Sequence, residues 1–181
     1  MSQDNDMDQE SRNGISDPLS FARNIALQQL NYAPRSRKEL LDKMTSKAVP
    51  PDIAEQVLDR LTEVGLIDDR AYAQMLVRSK QNSRKLAKRA LSVELSKKGI
   101  TGEVAQEVLG EISDDDEREL ARAAVDKKLR SMSALDIDTV KRRLSGLLAR
   151  KGFSSAVSMA VIREALAQRA SESELDDLVL D

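Results

Sequence analysis

Three stretches of this chain align without a gap, and that internal repeat limits the possible fold more than any other feature. Segments 40–58, 91–109 and 144–162 carry apolar residues at the same steps, with offsets of 51 and 53 residues between copies. Each opens on a leucine (Leu40, Leu91, Leu144) and continues four residues later with Met44, Leu95 or Leu148. Val49, Ile100 and Phe153 come next, then Ile53, Val104 and Val157, and last the pairs Val57-Leu58, Val108-Leu109 and Val161-Ile162. Steps of four and five put each set on one side of a helix, so each copy predicts two amphipathic helices. In the first copy Leu61 and Val64 extend the second stripe.

The residues between the stripes predict a tight turn. Lys97-Lys98-Gly99 and Arg150-Lys151-Gly152 read as helix ends, where glycine takes the left-handed position and cations suit the negative end of the helix dipole. Thr101 and Ser154 then stand where an N-cap belongs. In the first copy Ala48 replaces the glycine, which predicts a tighter or shifted turn before Pro50-Pro51-Asp52 restarts the chain. A further helix precedes each pair. Ala22, Ile25 and Ala26 reappear 51 residues on as Ala73, Leu76 and Val77, and Leu120, Ala121, Ala124, Val125 and Leu129 mark the third. Asp17 and Asp68-Asp69 are candidate caps.

The expected fold is therefore all-α, with three tandem three-helix, helix-turn-helix-like repeats at 17–67, 68–112 and 113–169. Units of this size bury little surface alone, so an elongated curved array of stacked neighbours is expected. The acidic segments 1–16 and 170–181 are expected to be disordered, with a weak terminal helix through Leu175, Leu178, Val179 and Leu180 as the alternative.

Composition agrees with helices and removes most chemistry. Two Phe, two Tyr and no Trp leave the packing to aliphatic side chains. Without cysteine there are no disulfides, thiolate metal sites or thiol nucleophiles. Without histidine the commonest general base and metal ligand are missing too, so neither an enzyme, a metal nor a cofactor is expected. No apolar run nears the ~20 residues that cross a bilayer, and the acidic start is unlike a secretory signal. A cytoplasmic monomer is the expectation.

The net charge of -2 conceals strong banding. Residues 70–100 carry nine bases against Glu94, 101–126 nine acids against two bases, and 127–151 eight bases against two acids. Basic clusters recur at matching places: Arg35, Arg37 and Lys38, then Arg84, Lys85, Lys88 and Arg89, then Lys141, Arg142 and Arg143. The second of these reads as one i, i+4 face on a single helix. Such an edge fits phosphates or an acidic protein surface, although a solvated helix face is the plainer explanation. Lys97, Lys98, Arg150 and Lys151 are candidates as well, with helix-end electrostatics as their competing role. Glu103, Glu107 and Glu111 on a would-be recognition helix oppose sequence-specific DNA readout. Asp68-Asp69 and Asp114-Asp115-Asp116 read as helix caps, Tyr72 as a core anchor, and Met44, Met75, Met132 and Met159 as core filling.

Specific strings add a family. Tyr32-Ala33-Pro34-Arg35-Ser36-Arg37-Lys38-Glu39-Leu40 resembles the opening of the first helix pair of RecX proteins. The junction 61–73 resembles their entry into the second unit, with Ala71-Tyr72-Ala73 where the family commonly has arginine, phenylalanine and alanine. Segments 94–100 and 148–154 resemble the second- and third-unit turns, so the likeness spans about residues 20–168. It implies binding to RecA filaments on single-stranded DNA and modulation, usually inhibition, of RecA's ATPase and strand exchange. It also implies a place in homologous recombination, DNA repair and the SOS response. A nucleic-acid-binding module acting alone, or a scaffold for another protein, are the alternatives.

Overall fold

The computed structural model describes residues 17–179, with side chains as far as Ser171. Nine α-helices and a 3-10 turn fill those residues, and no strand occurs among them. The helices are α1 (Pro18–Tyr32), α2 (Arg37–Thr45), α3 (Pro51–Glu63), α4 (Asp69–Arg84), α5 (Lys88–Lys97), α6 (Gly102–Gly110), α7 (Asp114–Leu129), α8 (Ile137–Arg150) and α9 (Ser155–Val179). They fall into three sets of three. Packing divides the chain differently, into one compact unit ending at Tyr72 and another beginning at Ala73.

The first unit packs α1, α2 and α3 on one another. Ala22, Ala26, Leu40, Met44 and Leu58 are fully buried there, and Ile67 closes the core from the turn after α3. Each of the larger side chains, Leu40, Met44, Leu58 and Ile67, contributes ~1.5–3 kcal/mol of burial. Helix α2 starts with a reciprocal cap: the Glu39 N–H donates to Ser36 Oγ at 3.2 Å, and the Ser36 N–H donates to the Glu39 carboxylate at 3.1 Å. The Arg37 N–H, another donor freed at that helix end, is taken by Asp69 at 2.8 Å. Asp68 caps α4 itself through the Ala71 N–H at 2.8 Å.

The second unit joins the second and third repeats. Ala87, which precedes α5, is buried in the third repeat's core among Val125, Leu144, Leu148 and Val161. Glu117 of α7 accepts the Lys88 N–H at 2.8 Å, the same service that Asp69 gives Arg37. An acid from the first turn of the following repeat thus closes the second helix of the preceding one, twice. Ser113 and Asp116 form a reciprocal cap on α7, and Asp136 caps α8 through the Thr139 N–H.

The repeat positions are the core positions. Leu40, Leu91 and Leu144, then Met44, Leu95 and Leu148, then Val49, Ile100 and Phe153 are all buried. Ile53, Val104 and Val157 are only half-buried. The buried places are one residue on, at Ala54, Ala105 and Ser158, where a small side chain admits a neighbouring helix. Several expectations fail. Val64 lies past the stripe and is exposed, and Met75 and Met159 are surface residues, 43% and 67% exposed, while Met44 and Met132 are core. The turn at Ala48 is not shifted. Ala48 adopts φ +59, like Gly99 at +77 and Gly152 at +88, and the Val49 N–H bonds Met44 C=O as Ile100 and Phe153 bond Leu95 and Leu148. Burial of Val49 overrides the alanine's dislike of that conformation. Of the two expected caps, Ser154 bonds the Val157 N–H, whereas Thr101 holds the N-cap place without a side-chain bond.

The segment 1–16 lies outside the described residues. Helix α9 continues to Val179, so the backbone of residues 170–179 is helical rather than the disordered tail expected, and the last two residues of that expected tail lie outside the described residues.

Candidate polyanion-binding surface

The fourteen candidate cations have unequal surroundings. Those of the first unit are already engaged. Arg37 Nη2 binds the Asp59 carboxylate at 2.7 Å and that of Glu55, Lys38 pairs with Asp42, and Arg35 lies 3.7 Å from Glu39. The recurrent basic edge expected in the first repeat is therefore a set of internal ion pairs. Two carboxylates of α3 at helical spacing meet one guanidinium, a geometry that spacing along α2 alone could not reveal.

The second repeat's cluster also differs from expectation. Arg84 is the last residue of α4, Lys85 turns the chain at φ +54, and Lys88-Arg89 begin α5. They flank a corner between two helices instead of forming one helix face. Lys88 is drawn to α7, its Nζ 3.7 Å from Asp114. Lys97 pairs with Glu94 at 2.8 Å, and Lys98 serves as the C-cap of α5.

What the fold assembles is a cluster contributed by two repeats. The Arg150-Lys151-Gly152 turn ending α8 seats against the α4–α5 corner. The Ala87 N–H donates to Lys151 C=O at 2.9 Å, and Lys151 Nζ donates to Arg84 C=O. Gly152 meets α5 so closely that a Cβ there would lie 2.6 Å from the Ala90 nitrogen. Arg84, Arg89 and Arg150 consequently border one shallow groove. Its one acid, Glu94, is bonded by Lys97 and Lys80, which hold its carboxyl below the usual carboxylate range. Burial pulls the Lys151 ammonium below its ordinary value, and the positive charges of Arg84, Lys127 and Lys85 lower it further. No ion pair neutralises Arg84, Lys85, Arg89 or Arg150 among the described residues. A patch of like charges within roughly a Debye length (~10 Å) attracts a polyanion and binds it in a salt-dependent way.

Helix α8 extends the patch. Arg143 and Arg150 are seven residues apart, hence on one face and ~10 Å apart along the axis. Arg150 Nη1 lies 3.3 Å from where a Cβ on Gly146 would stand, so the glycine leaves room for that arm. Arg142 and Arg143 are exposed, and Lys141 is 4.0 Å from Asp138. Lys127, absent from the sequence-derived candidates, belongs to the cluster; its only sequence signal was the basic band beginning at that residue. No group of acids suited to a metal occurs among the described residues, and no helix there is long and apolar enough to cross a membrane. Asp68 and Asp116 are helix caps, as read from the sequence, and Tyr72 is buried.

Comparison with known proteins identifies the same three repeats. Residues 22–61 match the RecX first three-helix domain, 68–109 the second and 115–166 the third. Regulatory protein RecX of Streptomyces lividans is 41% identical over 158 residues, covering 87% of this chain and 84% of the relative. That of Mycolicibacterium smegmatis is 41% identical over 150 residues, covering 81% and 80%. The crystal structure of RecX from Lactobacillus salivarius superimposes with a TM-score of 0.75 at 29% identity, covering 83% of this chain and 97% of that one. The Streptomyces and Mycolicibacterium relatives are named as regulatory proteins and no catalytic family is indicated. Three domains in order, each matched across its helices, place this chain in the RecX family of regulatory proteins.

Proposed function

We propose that this protein binds RecA filaments on single-stranded DNA and restrains RecA's ATPase and strand exchange. What carries the reading is the ordered run of three RecX domains over residues 22–166, with no catalytic family beside it. The groove bordered by Arg84, Arg89 and Arg150 supplies the charge for a filament, whose surface exposes phosphates and acidic side chains. A chain that spans neighbouring protomers opposes the movements accompanying ATP turnover. The test is RecA's single-stranded-DNA-dependent ATPase with this protein titrated in. The rate is expected to fall at amounts stoichiometric with RecA protomers or below, and an unchanged rate with folded protein rejects the reading.

A second reading, binding to DNA without RecA, is favoured by the same uncompensated cluster. Replacing Arg84, Arg89 and Arg150 with glutamate separates the two. Loss of DNA binding with ATPase restraint intact assigns the cluster to DNA alone; joint loss assigns it to the filament.

A further inference from the structure

The outer groove between α8 and α9 differs in kind from its counterpart in the first repeat. By the repeat register, Arg37 of α2 corresponds to Lys141 of α8, and Glu55, Asp59 and Thr62 of α3 correspond to Met159, Arg163 and Leu166 of α9. In the first repeat those residues close the groove themselves. Arg37 binds Glu55 and Asp59, and its Nη1 reaches Thr62 Oγ1 at 3.5 Å. In the third repeat every acid on that face has been replaced. The groove is lined by Ile162, Leu166 and Ala167, the exposed Ile137 and Met159, and the cations Lys141 and Arg163, with no acid lining it among the described residues. Ile137 and Met159 are 56% and 67% exposed, a cost in apolar hydration that the fold does not need. Arg163 has no carboxylate partner among the described residues, and Lys141 has only Asp138 at 4.0 Å.

An apolar trough with a cationic edge fits a segment that brings aliphatic side chains and carboxylates together. This chain contains one. Residues 172–181 hold five acids, no base, and Leu175, Leu178, Val179 and Leu180. Folding this segment back onto its own groove would break α9, which runs unbroken to Val179, past the residues 159–170 that line the groove. We propose that the α8–α9 groove receives segment 172–181 of a second copy of this chain, so that two copies exchange their acidic ends about a twofold axis. Leucines cover Met159 and Ile137, and the carboxylates take the places beside Lys141 and Arg163 that Glu55 and Asp59 occupy beside Arg37. Residues 172–179 leave their own copy as helix, which lowers the ordering cost of docking. The monomer expected from the sequence is then the dilute state.

Sedimentation equilibrium of the full chain tests this. A concentration-dependent dimer, weakened by added salt, is expected. Met159→Glu, which puts back an acid where the first repeat has Glu55, is expected to weaken the dimer about tenfold or more while leaving the helical circular dichroism unchanged. Reversing the edge (Lys141→Glu with Arg163→Glu) and reversing the segment (Glu174→Lys with Asp177→Lys) each weaken it. Combining all four substitutions in one chain restores it, which a merely misfolded variant cannot do. A labelled peptide of residues 170–181 binds the full chain and dissociates the dimer. A chain that stays monomeric to millimolar concentration overturns the proposal. So does a dimer indifferent to reversal of the segment, since that dimer would be seated elsewhere.

Discussion

Replacing Gly152 with alanine is the sharpest test of how the basic cluster is assembled. Two effects add. At φ +88 an alanine meets the left-handed penalty of ~1–2 kcal/mol, and its Cβ would lie 2.6 Å from the Ala90 nitrogen and 2.8 Å from the Ala90 Cβ. Backbone cannot swing aside as a side-chain end can, so the α8 turn must back away from α5, an overpacking cost of ~1–3 kcal/mol. Stiffening of the unfolded chain offsets ~0.4–1 kcal/mol of this. The net loss expected is ~1.5–4 kcal/mol, read from urea unfolding followed by circular dichroism. Two companions divide the total. Gly65, at φ +72, has nothing within 4 Å of its added Cβ, so Gly65→Ala carries the backbone part alone, ~0.5–1 kcal/mol. Ala48→Gly removes the same strain at φ +59 and is expected to stabilise by a similar amount. Gly152→Ala is also expected to weaken single-stranded DNA or filament binding, because the displaced turn carries Arg150 and Lys151. If Gly152→Ala costs no more than Gly65→Ala, the close docking of the α8 turn on α5 is refuted.

Further outcomes follow from other parts of the fold. Tyr72 is buried and hydrogen-bonded to Glu39, and burial first, then that carboxylate, pushes its hydroxyl up to about 12. The folded protein therefore keeps the phenol proton where an unfolded tyrosine, near pH ~10, loses it. The contribution to stability is complete below about pH 10 and fades as pH rises towards about 12; chemical denaturation at several pH values should show the fall, and Tyr72→Phe should abolish it. Asp69→Asn and Glu117→Gln each weaken a charge-assisted cap between successive repeats, and each is expected to cost ~1 kcal/mol in urea unfolding. Arg37→Ala should leave the proposed restraint of RecA's ATPase unchanged, since its guanidinium is already held by Glu55 and Asp59. Arg143→Glu with Arg150→Glu should flatten the salt dependence of single-stranded DNA binding by ~0.7 for each phosphate the protein then leaves unneutralised.

The repeat, the helices and most of the core could be read directly because a helix converts spacing into a face, and three copies of one spacing rule out accident. Leu40, Leu91 and Leu144 are buried for the reason their register suggests. Turn glycines, caps at Asp68 and Ser154, and the charge bands were equally legible, being local in the chain. Reading failed where the deciding neighbour is distant in sequence. Nothing within α2 says that Arg37 will face Glu55 and Asp59 across the groove. Nothing within α8 says that its last turn will lodge at the corner where Arg84 ends α4, where Lys151 feels the charge of Lys127 from α7. Met159 looks like any core methionine until the helix is rotated into its bundle and leaves that side chain in water.

By itself, then, the order of residues determined a triplicated helical protein without histidine or cysteine and with alternating belts of charge. Those are consequences of side-chain type and spacing within one or two turns. Tertiary structure decided which charges cancel and which gather, because Coulomb energy depends on distance in space. A cation next to its own carboxylate is neutralised, and one pressed against other cations is not.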